Sequence, residues 1–396
     1  MRTAGAHLTY CTNIHPGESY AEVRDNLANY VRAVRERVAP GRPFGVGLRL
    51  SARAASELSA PAVLEELKDF LRSNELYVFT LNGFPYGPFH GQPVKDGVYR
   101  PDWTAPERLG YTDELARLLA ELLPDGMAGS VSTVPLGFKG HLTSEGDVSV
   151  AVDQLLRHVA VLHRLRQDRG REVALCLEPE PCCVLETIEE TTSFFEGELF
   201  SRSAREKLAG HAGVGQAEAE ALIRRHLGVC LDTCHAAVEF EDPKTALASL
   251  KACGVRIAKA QLSAGLRLPQ VTPAALEALR RYDESVYLHQ VVARTGAGRL
   301  ERYADLPQAF ASESARAARE WRVHFHVPLH REKLEGFVNT QPFLAEVLEL
   351  QRRAPFTEHL EVETYTWDVL PAEHRGESVV VSVARELEWV LERLGA

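Results

Sequence analysis

The sequence has no window of eighteen uninterrupted apolar residues, so no segment reads as a membrane span. Its opening stretch, MRTAGAHLTYCTNIHPGE, lacks the apolar core of a secretory leader, and the expected setting is the cytoplasm. Positive charge is in deficit: 45 Lys and Arg against 55 Asp and Glu give a net charge of −10. Such a chain is poorly suited to holding nucleic acid through its phosphates, and it has no basic–aromatic stripe. Seven cysteines scattered through 396 residues form neither a disulfide framework nor a paired C-x2-C zinc pattern. Also missing are a G-x-G-x-x-G turn after an early strand, a Walker sequence and a G-x-S-x-G elbow. No repeat or Pro/Ser linker marks a domain boundary.

What is present is alternation. Short apolar runs at 7–13 (HLTYCTN), 44–50 (FGVGLRL), 76–82 (LYVFTLN), 129–134 (GSVSTV) and 173–180 (VALCLEPE) read as strands. So do 228–235 (GVCLDTCH), 256–263 (RIAKAQLS) and 359–365 (HLEVETY). Amphipathic stretches separate them, the first opening with Ser19 and Glu22 at capping-box spacing. About eight such repeats predict an α/β fold, a single (β/α)8 TIM barrel with enlarged βα loops. The expected single domain spans 1–396, with long insertions at about 182–227 and 264–322. A ninth candidate strand, VHFHVPL at 323–329, is expected to be an excursion from the barrel.

The ends of the runs carry the chemistry. Glu178, Asp232, Gln261 and Glu363 are each the first strongly polar side chain at the end of an apolar strand. In a barrel those ends converge on one mouth. Any one of them alone reads equally well as a helix cap or an arginine partner. Gathered together, carboxylates repel unless protons or a cation neutralise them, and with nearby histidines they suit a divalent metal. Asp232 and His235 lie three residues apart across a strand-to-helix turn and can face one cavity. His289, His326 and the loop residue His90 are further ligand or substrate-contact candidates. Asn82, Phe84 and Tyr86 in one loop, and Tyr365 and Trp367 in another, are candidates for a substrate wall.

The order LCLEPEP, CLDTCH, KAQLS and LEVETYTW resembles the xylose-isomerase-like TIM barrels, which include sugar-phosphate isomerases/epimerases and endonuclease IV. From near residue 8 to about residue 371 the chain is similar to the EboE metabolite traffic proteins of that superfamily. LTYCTNIHPGE, FGVGLRLS, FTLNGFPYG, VYRPDW, YLHQ, VHFHVPL and HLEVETYTWDVLP carry the closer match. The resemblance implies a divalent metal at the mouth. It matches Glu178 to the fifth-strand glutamate, Asp232 to the sixth-strand aspartate, His235 to the histidine three residues later and Glu363 to the eighth-strand glutamate. Where the superfamily usually has a seventh-strand histidine, this chain has Gln261, a weaker neutral ligand; His289 or His326 can substitute for it. Endonuclease IV relatives need additional histidines and a DNA-facing charge that this acidic chain lacks.

The expected function is a metal-dependent isomerase or epimerase, with Mn, Zn, Mg or Fe as cofactor and a small polyhydroxylated or carbonyl metabolite as substrate. Glu178 and Glu363 exchange a proton as base and acid through an enediolate, and His235 orients substrate or completes the metal shell. The resemblance also implies a link to metabolite export, so a noncatalytic binding or traffic protein is the rival; a metal-dependent hydrolase or lyase on the same barrel is a third reading.

Overall fold

The computed structural model describes residues 1–334, 336–371 and 378–395. Eight strands run parallel in one curled sheet: β1 (Ala6–Tyr10), β2 (Phe44–Arg49), β3 (Leu76–Asn82), β4 (Gly129–Thr133), β5 (Val173–Leu177), β6 (Leu227–Asp232), β7 (Ile257–Leu262) and β8 (His359–Val362). Their order is β1-β8-β7-β6-β5-β4-β3-β2, and Arg2–Thr3 adds a short antiparallel edge to β1. Nearly every strand residue is buried, as expected where helices cover a parallel sheet. The two ends of the parallel set meet at one parallel bridge, Cys11 to Gly47. The Thr9 hydroxyl clamps this seam, donating to the Gly45 carbonyl at 2.7 Å and accepting from the Gly47 amide at 3.1 Å. A Cβ at residue 47 would stand 1.7 Å from Glu361 Oε1 and 2.8 Å from the Tyr10 carbonyl, so only glycine lets the ends approach.

The connections begin where the sequence signals them. Ser19 caps the helix from Tyr20 and Glu22 reciprocates; Ser144 with Asp147 and Thr187 with Glu190 form two more capping boxes. The segment between β5 and β6 holds the helices Ile188–Phe194, Arg202–Ala212 and Gln216–His226. Between β7 and β8 stands a second, antiparallel sheet. Its strands run Leu300–Tyr303, Val291–Arg294, Glu320–Val323, Leu266–Leu268, Phe337–Asn339 and Lys333–Leu334 across the sheet. It is anchored on the end of β7: Thr340 N donates to the Gly265 carbonyl at 2.9 Å, and Gly265 N to Thr340 Oγ1 at 2.8 Å.

The ninth candidate strand needs correcting. The strand is Glu320–Val323, just before VHFHVPL rather than through it. Past Val323 the amides leave any ladder and donate singly, His324 N to Gln290 O and Val327 N to Ala264 O. These bonds fold the segment down over the sheet ends and carry His324 and His326 there.

Candidate metal centre

Alternation along a strand sends every second side chain inward. On β8 and its C-terminal extension, His359, Glu361 and Glu363 form such a series, and on β7 Lys259 and Gln261 do. The interior is layered accordingly. Ser130 and His359 are bonded at 2.8 Å in the lowest layer. Above them Lys259 and Glu361 pair at 2.6 Å, both completely buried. Burial opposes charge on Lys259, yet Glu361 and its other neighbours hold its ammonium above the ordinary lysine range.

The top layer holds Glu178, Asp232 and Glu363, whose ligand atoms lie within 4.8 Å of one another, all buried. The next-strand register sets Gln261 beside Asp232 and Glu361. Burial first, then the charges of Glu363 and Asp232, drive the Glu178 carboxyl well above its ordinary value. Burial and Asp232 do the same to Glu363. Asn13 Nδ2 at 2.7 Å and Asn82 Nδ2 at 3.0 Å both donate to Glu363 Oε1 and fix its orientation. Asp232 Oδ1 caps the following helix, accepting from His235 N at 2.9 Å, and accepts Ser263 Oγ at 2.7 Å. Its Oδ2 has no hydrogen-bond partner, nor do Glu178 Oε2 or either amide atom of Gln261.

Three histidines complete the ceiling of this layer. His326 Nδ1 faces the Glu363 carbonyl at 2.9 Å. A carbonyl only accepts, so Nδ1 carries the proton and Nε2, buried and unbonded, presents a lone pair. The same reasoning applies to His235, whose Nδ1 faces the Pro179 carbonyl at 3.0 Å, and to His324, whose Nδ1 faces Gln290 Oε1 at 2.8 Å. Their Nε2 atoms then meet lone pair to lone pair at 3.1 Å. Burial holds His235 and His324 well below the ordinary histidine range, so neither readily supplies the missing proton. Asp232, His235 and His326 form one further ligand-distance group, and Glu180, His235 and His324 another. A set of unpartnered carboxylate oxygens and bare imidazole nitrogens fits a divalent cation.

The other sequence candidates divide. Asn82 reaches the centre through Glu363. His289 bonds Glu284 at 2.8 Å and packs on Phe325, outside these ligand groups and a further one of Cys234, His324 and His326. His90 stacks edge-on against Phe89, and burial lowers it to about 4. Tyr86 packs on Tyr111 and lines a separate outer groove with Arg100. Trp367 is buried in the main hydrophobic core. Residues the sequence did not single out for the site are Asn13, Tyr99, Gln290 and Glu180. Glu180 accepts from the Tyr99 hydroxyl at 2.6 Å, and burial pushes its carboxyl up to about 8. Its signal was the second glutamate of LEPEP, two residues beyond Glu178 and so on the same side of an extended chain.

No protein-family model matches the chain, and no curated protein matches its sequence. Solved structures do. A xylose isomerase-like TIM barrel protein from Mycobacterium smegmatis, in complex with magnesium, superposes with a TM-score of 0.53 at 12% identity, over 100% of this chain and 98% of that one. The probable 3-DHS dehydratase AsbF of Bacillus anthracis gives 0.46 at 12% identity, over 97% of each chain. The 3-keto-D-glucoside 4-epimerase YcjR of E. coli, in its apo form, gives 0.45 at 12% identity, over 98% of each. The fold of this chain is similar to that of the first, a xylose isomerase-like TIM barrel protein.

Proposed function

We propose that the curled sheet closes as one (β/α)8 barrel and a single domain, and that its mouth isomerises or epimerises a small oxygenated metabolite with a divalent cation. The carrying observation is the convergence of Glu178, Asp232 and Glu363 from three strands, with buried oxygens left unpartnered. Those three and Gln261 would hold the cation, with His326 Nε2 as a neighbouring donor. When bound, the cation supplies a Lewis acid that polarises adjacent substrate oxygens and acidifies the proton alpha to a carbonyl. Glu178 takes that proton as base and Glu363 returns one as acid. Burial and the neighbouring carboxylates raise Glu178, and a cation held beside it would oppose that shift and favour its base form. Asn13 and Asn82 keep one Glu363 oxygen occupied, leaving the other for proton transfer.

The finer likeness to the EboE metabolite traffic proteins, a cytoplasmic setting and a link to export belong to the same proposal. The neutral Gln261 favours a second reading, in which the mouth binds a metabolite without turning it over. Metal analysis by inductively coupled plasma mass spectrometry separates these from a metal-free barrel. We expect about one divalent cation per chain, lost in Glu178→Ala. No metal in either protein, even after soaking with Mn or Zn, overturns the reading. Solvent deuterium entering a ketose panel then distinguishes turnover from binding.

A further inference from the structure

Above the carboxylates lies a partly open pocket whose two ends differ in chemistry. Glu178, Glu363, Asn13, Asn82 and His235 form the floor. The roof is aromatic: Phe84, Phe89, Tyr99, Tyr287 and Tyr365 line it, with Leu288 between. Phe89, Tyr287 and Tyr365 stand with ring centroids 5.0 to 5.2 Å apart, and Phe84 meets Tyr99 at 5.8 Å. Three segments build this roof: the loop after β3, the second sheet's segment, and the stretch after β8 that carries Tyr365. The loop after β3 joins the second sheet's segment through Val94 N and Lys95 N, both donating to the Val286 carbonyl at 2.7 and 2.9 Å.

Three polar side chains of the roof, Lys95, Tyr99 and Tyr365, are already engaged within the protein. Lys95 has three N–H donors and three acceptors: Tyr287 O at 2.7 Å, Asp305 Oδ2 at 2.7 Å and Glu284 O at 3.1 Å. The Tyr99 hydroxyl donates to Glu180 and accepts from Gln290 Nε2 at 2.7 Å. The Tyr365 hydroxyl faces His324 Nε2 at 3.4 Å. A sugar with a hydroxyl on every carbon would bury hydroxyls against ring faces here, and an unpaired buried hydroxyl is costly. An apolar ring would lose nothing and gain contact with several aromatic faces.

We infer that the substrate is two-ended, with a pair of adjacent oxygens on the carboxylate floor and an apolar, ring-sized group under the aromatic roof. This rests on the metal reading above and narrows it from any polyhydroxylated or carbonyl metabolite to a ring-bearing carbonyl compound. The test uses the full chain loaded with Mn(II) and two probes with the same two-oxygen chelating end, acetohydroxamate and benzohydroxamate. Titration calorimetry should show benzohydroxamate binding about tenfold or more tightly, the scale of burying a phenyl in place of a methyl. Phe89→Ala should shrink that ratio towards unity while Mn stoichiometry, read by mass spectrometry, reports an intact site. Leu288→Ala should shrink it less, and serves if Phe89→Ala does not fold. Equal affinities in the unaltered protein overturn the inference. So does binding of neither probe to the Mn-loaded chain, or a ratio unmoved in a folded variant. Failure to load Mn at all falls instead on the proposed function.

Discussion

Lys259 and Glu361 sit one layer beneath Glu178, Asp232 and Glu363, equally buried and also titratable, yet the two layers follow opposite rules. The lower pair contains its own counter-charge, and Ser132 Oγ at 3.3 Å takes a further Lys259 hydrogen. In the upper layer, no described lysine or arginine forms an ion pair with the three carboxylates. The positive charge that reaches Glu178 and Glu363 comes from Lys259, already claimed by Glu361. A buried carboxylate with its own counter-charge serves the fold; a buried set without one calls for something from outside. The two layers therefore respond differently to mutation, to pH and to added cation.

The largest effect belongs to the lower layer. Lys259→Met strips Glu361 of its partner in a site without water access, and such an uncompensated charge costs about 3–5 kcal/mol. Urea unfolding should show that loss. Adding Glu361→Gln to the same chain should return most of it, since an uncharged pair leaves no stranded ion. Saturating Mn should not rescue the single variant to the level of the double one.

The upper layer is read more clearly by pH. Glu178 and Glu363 are raised by burial and by neighbouring carboxylates, Asp232 beside both, and Glu180 is raised to about 8. Each binds a proton when folded in a range where the unfolded chain has released it. The contribution is fully present below the unfolded value near 4.5 and is lost as pH climbs through the folded values. His235 and His324 act oppositely, because their lowered values cost stability only below about 6.5. From about pH 6.5 to 8 the metal-free protein should therefore lose stability from this layer. Thermal melts should show a shallower decline in Glu178→Gln, and a shallower one again when Mn is present. An identical slope in all three would mean the layers do not differ.

Why the sequence disclosed one layer more readily than the other is itself physical. The eight strands were legible because parallel strands covered on both faces are unbroken apolar runs. Glu178, Asp232 and Glu363 stood out because each ends such a run. Lys259 lies inside RIAKAQLS and Glu361 inside HLEVETY, where a single charge reads as an outward-facing residue. Only the alternation shared with Gln261 and Glu363 shows that both point inward. Contacts across long separations were hidden altogether. Asn13 and Glu363 are 350 residues apart, and Tyr99, Glu180 and Gln290 meet from three segments. Tyr86 packs on Tyr111 and Trp367 in the main core, positions hidden in the sequence because an aromatic in a loop next to a strand end carries no sign of the direction it faces.

A smaller effect separates charge from shape in the upper layer. Asp232→Asn keeps an oxygen to cap the helix and to accept from Ser263, yet removes one of three crowded carboxylates. The metal-free protein should gain about 1 kcal/mol in urea unfolding, in line with relief of strain at a functional site. Its Mn stoichiometry should fall to near zero in the same preparation. A variant both less stable and still loaded would show that Asp232 serves the fold as Lys259 does.

The smallest effect concerns Asn82, which the sequence offered as a substrate contact and the structure joins to Glu363. Its Nδ2 donates to Glu363 Oε1 at 3.0 Å, while its own Oδ1 accepts from Phe84 N at 3.1 Å. Asn82 thereby links the orientation of a carboxylate in the floor to the start of the loop that forms the roof. If positioning is its work, Asn82→Ala weakens Mn binding about tenfold, the scale of losing an outer partner of a metal ligand. The fold should lose only about 1 kcal/mol, because Asn13 still holds the same oxygen. If Asn82 instead touches only substrate, Mn affinity in a competition titration stays at the unaltered value and only probe binding changes. Tyr86→Phe calibrates the experiment, since its ring packs on Tyr111 away from the floor and both readings predict no change in Mn affinity.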